Sequence, residues 1–196
     1  MKKILFIHGL ASSGAYKTAD TLRILLKPSQ VIAPDVPIDP FEALRQLRTI
    51  CAEESPDLIV GLSLGGFWAQ QLRGFPRIII NPDLHPSILL SGKIGEMKYL
   101  SPRKDGAESF IIDEKICEGY RAIESNEFND LTADDTTKIY GMFADADELV
   151  HCRDEFALHY PGRVVDYPGS HLPTYPQIKT FLVPLAKELF DDTNLI

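Results

Sequence analysis

The sequence predicts an α/β fold: a mostly parallel sheet of about six strands with helices on both faces and a small helical cap insertion. Three observations lead there. Short apolar runs at 3–7, 31–33, 58–62, 77–80, 138–143 and 163–166 have the unbroken hydrophobicity of strands covered on both sides. Segments of helical spacing separate most of these runs, and strand–helix alternation builds parallel sheets. The chain of 196 residues lacks internal repeats, low-complexity tracts and obvious linkers, so one domain spanning 1–196 is expected.

Each element has its own signal. The run Lys3 to Ile7 stops at His8-Gly9, too soon for a signal peptide, and reads as the first buried strand. A helix is expected from about Gly14 to Leu26. Another opens after Pro40 and sets Phe41, Leu44, Leu47 and Cys51 along one stripe. A third follows Ser63, and a fourth runs from about Leu149 to His159. The last aligns Ile178, Phe181, Leu185 and Leu189, with Pro184 as a candidate kink. Between Pro82 and Thr137 no clear strand is evident. That stretch is too long for a plain crossover, so 82–137 is expected to be a cap-like insertion with short helices, one from Phe110 to Ser125.

Composition removes several classes of function. A net charge of −8 argues against nucleic-acid and anionic-membrane partners. The acidity is concentrated: residues 105–135 hold ten acidic and two basic side chains. No apolar stretch approaches the roughly 20 residues needed to span a bilayer. Cys51, Cys117 and Cys152 are odd in number and far apart, which fits a reducing compartment, so a cytoplasmic location is expected. The five histidines form no His-Glu-x-x-His motif, and no metal site is expected. The sequence leaves the oligomeric state open.

The chemistry-bearing motif is Gly61-Leu62-Ser63-Leu64-Gly65, with an apolar strand before it and a helix-compatible run after it. A serine on a sharp strand-to-helix turn exposes its hydroxyl, and small neighbours let the chain segments approach closely there. Neither a phosphate loop nor a dinucleotide loop fits, since no Gly-Lys-Ser/Thr and no Gly-x-Gly-x-x-Gly is present. A serine nucleophile needs a base, and the base needs an orienting acid, expected in the order Ser, Asp, His. Asp147 follows the strand at 138–143 and His171 follows the strand at 163–166, so both satisfy that order. Asp145 lies in the same turn as Asp147 and is the alternative acid. The oxyanion hole would use the backbone N–H groups of Leu64 and Leu10, with His8 bracing the loop that carries Leu10. A sheet ordered second, first, third, fourth, fifth, sixth strand reverses direction beside Ser63 and Leu10, where such sheets bind ligands.

The His-Gly after strand one, the Gly61–Gly66 run, Asp147 and Gly169-Ser170-His171 together resemble the α/β-hydrolase superfamily over nearly the whole chain. The compact length and Ile79-Ile80-Asn81-Pro82-Asp83-Leu84-His85-Pro86 are similar to the small bacterial YqiA-like esterases. The resemblance implies a serine esterase (carboxylesterase) acting on short acyl esters, with a small-molecule ester as partner and no cofactor. The alternatives are a thioesterase or amidase with the same triad, or a binding protein with a vestigial one.

Overall fold

The computed structural model describes residues 1–192. Six parallel strands form the main sheet: β1 (Lys3–Ile7), β2 (Gln30–Ile32), β3 (Leu58–Leu62), β4 (Arg77–Ile80), β7 (Ile139–Ala144) and β8 (Val164–Tyr167). Their order is β2-β1-β3-β4-β7-β8, so the chain reverses its direction of travel between β1 and β3. The register pairs Ile7 with Gly61 and Leu62 with Ile80, which aligns the ends of β1, β3 and β4.

Alternating side chains divide the sheet between two apolar layers. Leu5, Ile7, Ile59 and Ile79 face α2 (Pro40–Glu54), α3 (Leu64–Gln71), α5 (Glu114–Glu124) and α7 (Arg153–His159). Ile4, Phe6, Val60, Ile78 and Ile80 face α1 (Lys17–Leu25) and the C-terminal helix. The central strands β3 and β4 are buried throughout, whereas the edge strands β2 and β8 are only partly covered. That contrast explains why the central runs are the most uniformly apolar. Asp39 caps α2 by accepting hydrogen bonds from the N–H groups of Phe41 and Glu42, with Pro40 preset for the first turn.

Two expectations need correction. The 82–137 segment is not purely helical. Besides α4 (Pro86–Ser91), α5 and α6 (Ala133–Thr137) it holds an antiparallel hairpin of β5 (Gly95–Lys98) and β6 (Ser109–Ile112). β5 is largely exposed and carries no apolar run, so the sequence gives it no strand signal. The helix expected from Phe110 begins instead at Glu114, where the Asp113 carboxylate caps it by accepting the Ile116 N–H. The C-terminal helix also differs in detail. After α8 (Tyr175–Gln177) it widens into a π-helical stretch, Ile178–Leu182, before α9 (Val183–Asp192). There the Val183 N–H reaches back to the Ile178 carbonyl, and the wider turn accommodates Pro184, which has no N–H to offer.

No helix among the described residues is long and apolar enough to cross a membrane.

Candidate active site

The carboxyl ends of β1, β3, β7 and β8 converge on the residues singled out by the sequence. Ser63 sits between β3 and α3 at φ 56° and ψ −119°, a conformation L-residues rarely adopt, costing on the order of 1–3 kcal/mol. Two glycines make the turn possible: a Cβ on Gly61 would collide with the Gly65 carbonyl, and one on Gly65 with the Ile7 carbonyl. The eight-residue helix α3 opens immediately after Ser63 and directs its N-terminal dipole at it.

His171 and Asp147 are brought together. The imidazole Nδ1 lies 2.8 Å and 3.0 Å from the two carboxylate oxygens of Asp147, and both side chains are buried. Asp147 Oδ1 also accepts the N–H groups of Leu149 at 2.8 Å and Val150 at 3.1 Å. These bonds orient the carboxylate, so it accepts the Nδ1–H hydrogen bond of the ring and leaves Nε2 as the open base position. Asp145, the alternative acid, is exposed and accepts the Gly169 N–H at 3.0 Å instead, which braces the histidine loop from outside.

Ser63 and His171 line one cavity of about 300 Å³, with mostly apolar walls from Leu10, Leu89, Met97, Leu100 and Leu149. Among the described residues no hydrogen bond joins the serine to the imidazole. Such contacts are often long in unliganded sites and tighten on the substrate. Gly9 and Leu10 form another wall, and the Leu10 N–H makes no hydrogen bond among the described residues. Leu64 is the first residue of α3, where an N–H has no intrahelical partner. His8 is 5% exposed; its Nε2 accepts the Val36 N–H at 3.0 Å and its Nδ1 donates to the Gly9 carbonyl at 2.8 Å. Burial lowers its pKa, so it stays neutral with both nitrogens engaged.

Several site residues lack a motif. Lys93, Met97 and Leu100 reach the cavity from the 82–137 segment, and nothing local in the sequence marks them. Asp83 is buried beside the elbow, and burial pushes its carboxyl up to about 6. Among the described residues no group of His, Cys, Asp or Glu side chains is arranged to hold a metal ion.

Residues 3–162 match the model of UPF0227, described as an uncharacterised protein family. The chain belongs to this family. The matched range includes Ser63 and Asp147 but ends before His171. A UPF0227 protein of Shewanella sp. (strain ANA-3) is 29% identical over 109 residues, covering 46% of this chain and 56% of that protein. A UPF0227 protein of Yersinia pseudotuberculosis is 28% identical over 134 residues, covering 60% of this chain and 66% of its own. The alignments thus span little more than half to two thirds of these curated relatives. Among solved structures, Est1E from Butyrivibrio proteoclasticus superposes with a TM-score of 0.71 at 17% identity, over 100% of this chain and 89% of that one. The monoacylglycerol lipase of Paleococcus ferrophilus gives 0.65 at 13% identity, over 96% and 94%. At these identities the likeness is one of fold, and the fold is that of the α/β hydrolases.

Proposed function

We propose that this UPF0227 member is a serine carboxylesterase that cleaves short acyl esters through an acyl-enzyme. One observation carries the reading: a buried His171–Asp147 pair and a serine in strained backbone open onto the same apolar cavity. In this mechanism His171 Nε2 removes the Ser63 proton as Oγ attacks the ester carbonyl. The oxyanion accepts hydrogen bonds from the N–H groups of Leu10 and Leu64. The imidazolium, stabilised by Asp147, then gives its proton to the departing alcohol. Water repeats the sequence on the acyl-enzyme and releases the acid. No step draws on a cofactor. The 82–137 segment acts as the cap, since it contributes Leu89, Met97 and Leu100 to the acyl pocket. A volume of about 300 Å³ suits a short chain better than a long one.

The test is a fluorophosphonate probe followed by peptide mass spectrometry, with a panel of ester, thioester and amide substrates alongside. An adduct on Ser63 and preference for short esters are expected. Faster turnover of thioesters or amides would reassign the substrate class within the same machinery. An unlabelled Ser63 with no turnover would mean a vestigial triad in a binding protein.

A further inference from the structure

We propose that Asn81 is the positioning residue of this site, a single side chain that holds the histidine loop and the acid loop in register with the serine elbow. The proposal rests on the serine-hydrolase reading above. Asn81 lies one residue beyond β4, is 2% exposed and has a positive φ of 42°. Asparagine enters that region at less cost than most side chains.

Its amide connects two of the segments that carry the site. Oδ1 accepts the N–H of Ala144 at 2.8 Å, at the end of β7 and three residues before Asp147. Nδ2 donates to the carbonyl of His171 at 2.7 Å and to the Tyr167 hydroxyl at 2.8 Å. These partners fix the amide's orientation, because a backbone N–H must meet the oxygen and a carbonyl must meet the nitrogen. Backbone contacts of the same turn reach the third segment. The Asp83 N–H donates to the Ser63 carbonyl at 3.3 Å, and Pro82 packs on Gly66, where an added Cβ would fall 2.8 Å from the proline ring.

His171 is therefore gripped twice, by Asp147 at the imidazole and by Asn81 at the backbone. Asp147 alone can keep the tautomer, but the ring can still swing with its loop. Asn81 removes that freedom and fixes where Nε2 meets the serine proton. An aspartate at this position keeps the bond from Ala144 and sets an oxygen against the His171 carbonyl. A glycine keeps the backbone conformation and loses all three bonds.

The experiment compares Asn81→Asp, Asn81→Gly and Tyr167→Phe with the wild type. The last removes the tyrosine bond to Asn81 and leaves the His171 contact in place. Steady-state kinetics on a short aryl ester are read beside the melting temperature and the imidazole Nδ1–H proton resonance of His171, assigned with His171→Gln. Both Asn81 variants should lose about 10–100-fold in kcat with KM changed less than about threefold, the scale expected for a misplaced catalytic group. Their imidazole resonance should shift or broaden. Tyr167→Phe should keep kcat and the resonance even where its melting temperature falls. Wild-type kcat and resonance in the Asn81 variants would overturn the proposal, and so would a kcat loss in Tyr167→Phe that matches its loss of stability. Should Asn81→Asp not fold, Asn81→Gly decides. If the wild type neither turns over esters nor labels at Ser63, the hydrolase reading fails, and the resonance still decides whether Asn81 holds His171.

Discussion

Two buried contacts to a carboxylate stand at opposite ends of the sheet. Arg77 opens β4 and meets Asp135 of α6 at 3.8 Å, with side-chain exposures of 0% and 9%. His171 meets Asp147 beyond the carboxyl ends of β8 and β7 at 2.8 Å, with exposures of 5% and 6%. Burial is nearly the same, yet the settings differ. Arg77 directs its terminal nitrogens at the carbonyls of Gln70 and Asp135, both at 3.1 Å, and so ties α3 and α6 to the sheet. His171 keeps Nε2 unspent beside a cavity and a strained serine. Burying a charge is costly unless a partner lies beside it. The proposed chemistry needs an atom left free and space beside it, which the second pair has and the first lacks.

The largest expected effect falls on the serine beside the histidine pair. Ser63→Ala should lower kcat for short esters at least about a thousandfold while moving the melting temperature by no more than about 2 °C. Retained turnover would place the nucleophile elsewhere.

Next, Asp147→Asn should cost about a hundredfold or more in kcat, since an amide neither fixes the imidazole tautomer nor stabilises imidazolium. Asp145→Asn keeps an acceptor for the Gly169 N–H and should cost less than about threefold. A reversed ranking in the same assay would mean that the two acids have exchanged roles.

At the other end of the sheet, Asp135→Ala should destabilise by about 2–4 kcal/mol, because it leaves the Arg77 charge buried without its counter-ion. Urea titration would read that loss, and kcat/KM of the folded variant should stay within about twofold of wild type. Lost activity at unchanged stability would break the distinction between the two pairs.

Glu127 is a third buried case, a carboxyl whose Oε1 has no partner among the described residues. Burial pushes its pKa up to about 9. The folded state then keeps this proton until pH nears 9, whereas the unfolded chain releases it near 4.5. Across that window the unfolded state binds fewer protons, so stability falls as pH rises. Glu127→Gln removes the titration, so its gain in melting temperature over the wild type should grow as pH rises from 5 to 8. An equal shift at both pH values would show that the carboxyl is ionised in the folded protein.

Local sequence was enough to set the sheet and the elements of its carboxyl edge. The apolar runs of the buried strands had no other stable use, and Gly61-Leu62-Ser63-Leu64-Gly65 allowed no bulkier chain where Gly65 meets the Ile7 carbonyl. These are short-range demands of burial and sterics, so they are written locally. The β5–β6 hairpin escaped, because an exposed polar strand leaves no hydrophobic period. The sequence put Asp147 ahead of Asp145. What only the fold supplies is the path of that turn against the Gly169–His171 loop, which sends Asp147 to the imidazole and Asp145 to a backbone N–H. Asn81 belongs to the same class. Its partners lie 63, 86 and 90 residues away, and a hydrogen bond between distant segments has no local signature until packing has brought them together.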